Sequence, residues 1–171
     1  MKKIMVIGVS SGVGKSTFAD RLGQALNIPV VHLDSLFWKP GWVEATVDEF
    51  KESQRKVVQQ EKWVIDGNYS NSYEIREPLA DTVIYLELPL RVCLFRVLKR
   101  YWKHRGTTRP DLGEGCTEKL DSEFLKFIVT TYKRRKRQMA ERLKRYEQEG
   151  KKVIALKSRR EIEEFLTHLK H

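Results

Sequence analysis

The sequence predicts an α/β fold with a five-stranded parallel sheet and helices on both faces. Three observations lead there. Short apolar runs alternate with helically spaced segments along the whole chain. The first of those runs ends in a glycine-rich loop, GVSSGVGKST, that opens a helix. At 171 residues, 40% hydrophobic and 33% charged, the chain has the size and composition of one core, so residues 1–171 are expected to form a single domain. No apolar run approaches the roughly 20 residues of a membrane helix. The N-terminal apolar part, Ile4 to Ile7, is also too short for the core of a secretion signal. Cys93 and Cys116 are the only cysteines and form no CxxC pair, which excludes a disulfide framework or a four-cysteine zinc site and fits a reduced, cytoplasmic setting.

Lys3 to Val9 reads as a buried strand, and Lys15 to Leu26 as a helix with Phe18, Leu22, Ala25 and Leu26 on one face. Asn27 and Pro29 break it, and Val30 to Leu33 forms a second strand that ends at Asp34 and an aromatic loop, SLFWKPGW. Thr46 with Glu49 has capping-box spacing, opening a helix to about Gln60. Trp63 to Ile65 is the third strand, ending at Asp66-Gly67. Thr82 to Leu88 is the fourth, stopped by Pro89, which opens a helix from Leu90 to about Arg105. Gly106 to Gly115 reads as a long loop. Asp121 to Glu149 reads as helix with a break allowed, Lys152 to Leu156 as the last strand, and Ser158 with Glu161 as the cap of a terminal helix.

The glycine-rich segment carries the chemistry. In a Walker A loop, successive backbone N–H groups curl around phosphates, and the following helix adds its positive N-terminal end. Gly12, Val13 and Gly14 supply that backbone. Lys15 is spaced to reach the β- and γ-phosphates, Ser16 to coordinate Mg²⁺, and Thr17 to touch the α-phosphate. ATP and Mg²⁺ are the implied cofactors. The strict spacing fails at one point: Val9 occupies the first glycine slot, with Gly8 one residue early.

The loop, together with HLDSLFWKPGW (His32 to Trp42), WVIDGNY (Trp63 to Tyr69) and TRPDLGEGCTEKL (Thr108 to Leu120), resembles a bacterial family described as DNA topology modulation proteins. More broadly it resembles P-loop kinases of the adenylate kinase and shikimate kinase type. The resemblance implies a three-layer fold with sheet order 2-3-1-4-5, an acceptor-side insertion at about 34–61 and a lid at about 103–121. It also implies that Asp66 holds the Mg²⁺ water shell, that Asp34 receives or orients a hydroxyl proton, and that Arg96 and Arg100 face phosphates from the lid helix. Asn68, Tyr69 and Ser70 replace the proline-arginine that follows Asp-Gly in adenylate kinases, which argues against a nucleoside monophosphate acceptor.

Arg96 and Arg100, four apart, share a helix face. Between Leu88 and Pro110 there are seven lysines and arginines and no acidic residue. Arg134, Arg135 and Arg137 either close the site from beyond the loop or form a solvated face. Phe37, Trp38 and Trp42 either wall a pocket or plug the core. Two functions follow. One is an ATP- and Mg²⁺-dependent kinase acting on a small molecule such as a nucleoside, nucleotide or metabolite. The alternative is a nucleic-acid-associated ATPase or regulator affecting DNA topology, drawn from the net charge of +10, which favours non-specific contact with nucleic acid in any case.

Overall fold

A computed structural model describes residues 1–107, 112, 115–117 and 120–169. The N-terminal apolar run forms strand β1 (Lys3–Gly8), fully buried from Ile4 to Ile7. Helix α1 (Lys15–Leu26) follows and ends at Asn27, whose left-handed backbone (φ 51°) closes the helix before Pro29 leads into the next strand. Then come β2 (Val30–His32), a short helix α2 (Leu33–Phe37), the strands β3 (Trp38–Lys39) and β4 (Val43–Glu44), and α3 (Val47–Val58). The Thr46/Glu49 box is present at the start of α3, with Glu49 N–H donating to Thr46 Oγ1 at 3.2 Å and Thr46 N–H donating to Glu49 Oε2 at 2.9 Å. Strand β5 (Trp63–Asp66), the short α4 (Tyr73–Arg76), β6 (Thr82–Leu86), α5 (Leu90–His104), α6 (Ser122–Gln148), β7 (Lys152–Leu156) and α7 (Arg159–His168) complete the chain.

The main sheet runs β2-β5-β1-β6-β7, parallel throughout. Counting only its own strands in chain order, this is 2-3-1-4-5. Helices cover both faces, with α1 packed on β1, β5 and α7, and with α6 on α5 and β7. The central β1 therefore delivers its glycine-rich loop to the middle of one sheet edge, where β2 and β5 also end at Leu33-Asp34 and Asp66-Gly67. Among the described residues no helix is long and apolar enough to cross a membrane.

Two segments, 33–37 and the hairpin after it, differ from the sequence reading, and a third, where that reading allows a break in the helix, has none. Residues 33–37 are helical rather than loop: Ser35 Oγ donates to the His32 carbonyl at 2.7 Å, and the helix drives Phe37 against Phe50 and Tyr69, with ring centroids 5.3 and 5.0 Å apart. Phe37 thus plugs the core, while Trp38 and Trp42 stack edge to face on the small β3–β4 hairpin, centroids 5.2 Å apart. Residues 122–148 form one unbroken helix, started by Asp121, whose carboxylate accepts from Phe124 N–H at 2.6 Å.

Positions 108–111, 113, 114, 118 and 119, within the expected lid, lie outside the described residues. The described part of that stretch touches the hairpin. Gly41 N–H donates to the Gly115 carbonyl at 3.2 Å, Trp42 Nε1 to the Thr117 carbonyl at 2.9 Å, and Cys116 Sγ to the Lys39 carbonyl at 3.2 Å.

Candidate active site

Space and backbone geometry fix the loop between β1 and α1. Gly12 has φ 79°, and a Cβ there would lie 2.2 Å from the Cys93 carbonyl oxygen. Only glycine fits both demands. At Gly8 the demand is space alone, because a Cβ would sit 2.6 Å from Val13 Cγ1 and 3.1 Å from the Lys15 side chain. Val9 resolves the spacing discrepancy. It is fully buried, donates its N–H to the Leu86 carbonyl at 3.0 Å, and lies outside the left-handed region. The close approach that a first glycine permits falls one residue earlier, on Gly8, and Val9 is spent on the core.

Asn68 locks the strand end in place. Its amide donates to the Gly8 carbonyl at 2.7 Å and accepts from Gly8 N–H at 2.9 Å, pairing with that residue as a neighbouring strand would. Gly14 is the N-cap of α1 and no side chain caps the helix. The first amides of α1, including those of Ser16 and Thr17, are therefore left to an anion by the helix itself.

The cleft in front of this helix end has a volume of about 1060 Å³ and is lined by the whole loop from Ser11 to Thr17 and by Asp34, Asp66, Arg100 and Arg135. Burial lowers the pKa of the Lys15 ammonium, Asp66 and then Asp34 pull it back up, and Arg135 and Arg100 press it down further. Lys15 is thus the cation on which two carboxylates and two guanidinium groups converge. The arginine pair of α5 divides: Arg96 Nη1 donates to the Val13 carbonyl at 2.8 Å and braces the loop, whereas Arg100 stands further along the cleft wall. Arg135, from the long α6, is half-buried over the ring of Phe127, its guanidinium carbon 4.8 Å from the centroid, and burial lowers its pKa. Of the three arginines weighed beyond the expected lid, Arg135 alone lines the cleft.

The two carboxylates have distinct settings. Asp34 Oδ1 accepts the Tyr69 hydroxyl at 2.7 Å. Burial, and then the Asp34 charge, push the Tyr69 pKa far above its ordinary value, so this hydroxyl stays a donor. Asp66 is 3% exposed, and its Oδ2 lies 3.0 Å from His32 Nδ1, while His32 Nε2 lies 3.1 Å from Asp20 Oδ1 on α1. Among the described residues no three His, Cys, Asp or Glu side chains gather into a metal-holding set. Mg²⁺ keeps several waters and takes one or two protein ligands beside phosphate oxygens. Ser16 on the first turn of α1 and Asp66 at the end of β5 are the residues that would hold it.

The sequence reading missed four contributors. Tyr69 and Asn68 stood out only as departures from adenylate kinases. His32 lies within HLDSLFWKPGW, and its spacing of two before Asp34 at a strand end is the signal that points to it. Arg76 gave no signal: it is fully buried and donates from Nη2 to the Gly67 and Tyr69 carbonyls at 3.2 and 3.3 Å, fixing the loop that carries Asn68 and Tyr69.

Solved structures share this architecture. Shikimate kinase from Bacteroides thetaiotaomicron superposes with a TM-score of 0.55 at 21% identity, over 98% of this chain and 95% of that one. The chain has the fold of these kinases. Shikimate kinase from Aquifex aeolicus gives a TM-score of 0.56 at 17% identity over 98% and 95% of the two chains. A gluconokinase from Sinorhizobium meliloti gives 0.53 at 17% identity over 99% and 93%. No family model and no curated protein matches the chain, so the resemblance to topology modulation proteins rests on the quoted motifs alone.

Proposed function

We propose that this chain is an ATP- and Mg²⁺-dependent kinase that transfers the γ-phosphoryl group to a hydroxyl of a small polar acceptor. The observation that carries the reading is the convergence at one sheet edge of an uncapped helix N-terminus, Lys15, two carboxylates and two cleft arginines. Gly12 to Thr17 cradle the phosphates through backbone N–H groups, and Lys15 bridges the β- and γ-phosphates as a point charge. Ser16 and the Asp66 carboxylate would hold Mg²⁺, which would supply charge neutralisation at the phosphate oxygens.

Asp34 accepts the proton of the acceptor hydroxyl as that oxygen bonds to the γ-phosphorus, while the bond from phosphorus to the bridging oxygen breaks and leaves ADP. Arg100 and Arg135 offer planar guanidinium groups to the oxygens of the phosphoryl group in transfer. Arg96, tied to the Val13 carbonyl, keeps the loop shaped for them. On this reading residues 1–171 act as one unit, with 34–61 on the acceptor side and 103–121 as lid. The cleft wall beside Asp34 is polar, through Asn68, Tyr69, Ser70 and Asn71 from the loop after β5, as suits a hydroxylated metabolite.

The test is transfer from γ-labelled ATP with Mg²⁺ to a panel of sugars, hydroxy acids, nucleosides and nucleotides. A labelled product that disappears in Lys15→Ala and Asp34→Asn is expected. Neither product nor accelerated ATP loss across the panel would overturn the reading.

A further inference from the structure

Asp66 leaves one oxygen uncommitted. Its Oδ2 is bonded to His32 Nδ1 at 3.0 Å, and Oδ1 accepts no hydrogen bond from the described residues. The opposite nitrogen of the same ring is held by Asp20 at 3.1 Å. Asp20 lies one helical turn beyond Ser16, at i+4 on α1, so the helix that presents the Ser16 hydroxyl also anchors the histidine that grips Asp66. His32 itself ends β2, whose register pairs it with Asp66 on β5. Backbone pairing and two side-chain bonds therefore give this ring one orientation.

We infer that His32 is a positioning residue that, anchored by Asp20, fixes the Asp66 carboxylate so that Oδ1 and the Ser16 hydroxyl face one Mg²⁺ together. The inference rests on the kinase reading and adds to it how its metal site is built. A carboxylate at a strand end has a two-fold torsional choice, and a metal's water shell tolerates only one setting. An imidazole that donates from Nδ1 to Asp66 with Asp20 beside its other nitrogen removes that choice, as outer-shell partners do in other metal sites. A purely structural histidine would support the fold equally well from either nitrogen, whereas this role needs the bond at Nδ1.

The two ring nitrogens can be tested separately. The amide nitrogen of His32→Asn falls near Nδ1 and retains a donor for Asp66. That of His32→Gln falls near Nε2 and reaches only Asp20. Mn²⁺ serves as the probe, its binding to the protein with a non-hydrolysable ATP analogue read by electron paramagnetic resonance, alongside analogue binding in EDTA and thermal melting. His32→Ala and His32→Gln are expected to lower Mn²⁺ affinity about 10- to 100-fold. His32→Asn should stay within about threefold of the parent, with analogue binding in EDTA unchanged in all three.

Equal Mn²⁺ affinity in parent and His32→Gln overturns the inference and leaves the kinase reading intact. Equal losses in the Asn and Gln variants, tracking a lowered melting temperature, also overturn it by assigning His32 to the fold alone. A parent that binds no analogue, with or without metal, removes the kinase reading and this inference with it.

Discussion

Tyr69 donates its hydroxyl to Asp34 Oδ1 at 2.7 Å, joining the end of β5 to the end of β2 across the mouth of the cleft. The Tyr69 ring packs against Phe37 and Phe50, with centroids 5.0 and 4.9 Å away, so the hydroxyl is placed by the core and not by solvent. Tyr69→Phe keeps that packing and removes only the donor. It is expected to leave melting within a few degrees while lowering kcat about 10-fold, because Asp34 loses one of the bonds that set its carboxylate. Asp34→Asn removes the proton acceptor and is expected to lower kcat by about 10²–10⁴. Steady-state kinetics on the acceptor found by the transfer assay will separate the two effects.

Gly12→Ala tests the loop. It sets an L side chain at φ 79° with its Cβ against the Cys93 carbonyl, for an expected loss of more than about 2 kcal/mol. The melting temperature should fall by at least about 5 °C in a chain of this size, with nucleotide binding lost. A variant that melts like the parent would show that the loop relaxes away from α5.

Asn68→Ala removes both bonds to Gly8 and is expected to cost about 1–2 kcal/mol. Asn68→Asp keeps the acceptor for Gly8 N–H but turns a carboxylate oxygen against the Gly8 carbonyl, so it should cost more than the alanine. Urea unfolding of the three proteins gives the order directly.

Arg76 is a buried guanidinium with no ion-pair partner among the described residues. Nη1 donates to Gln54 Oε1 at 2.9 Å and to the Ser72 hydroxyl and carbonyl at 3.0 and 3.1 Å, and burial lowers its pKa to about 10. Its planar fork holds carbonyls that a lysine's single ammonium cannot all reach. Arg76→Lys and Arg76→Met are each expected to cost at least about 3 kcal/mol. A thermal shift below about 3 °C in either would contradict this assignment.

Glu49 sets an acid-side pH dependence. Hydrogen bonds from Lys39 and then from Thr46 lower its pKa from 4.5 to about 2. A carboxylate depressed by folding stabilises the folded state above its unfolded value and loses that contribution as pH falls through the folded one. The difference in melting temperature between parent and Glu49→Gln should therefore be full above pH 4.5 and shrink towards pH 2. A difference constant over that range would place the interaction elsewhere.

How much was legible varies residue by residue. The alternation of apolar runs with helical spacing needed only local periodicity, so the five strands of the main sheet, α1, the α3 and α7 caps and the Pro89 boundary could be read directly, whereas β3 and β4 could not. Lys15, Ser16 and their glycines were legible because a phosphate loop is contiguous in sequence, and contiguity is what a motif records. Asp34 and Asp66 could be placed at strand ends by the pattern, but their roles came only from the resemblance to P-loop kinases. Helix α2 was illegible because Phe37 is held by Phe50 and Tyr69, partners 13 and 32 positions away.

The sequence by itself determined that a strand, a glycine loop and a helix would stand in line, since neighbouring residues and steric rules suffice for that. Tertiary structure alone decided that Gly8 and not residue 9 needs to be glycine, because the clash comes from Val13 folding back over the strand. It also decided that His32 joins Asp20 to Asp66, that Arg135 reaches a cleft built 120 residues earlier in the chain, and that Arg96 braces the loop while Arg100 lines the open wall. Each depends on distances between segments remote in the chain, which are set by the sheet order and by packing of the core.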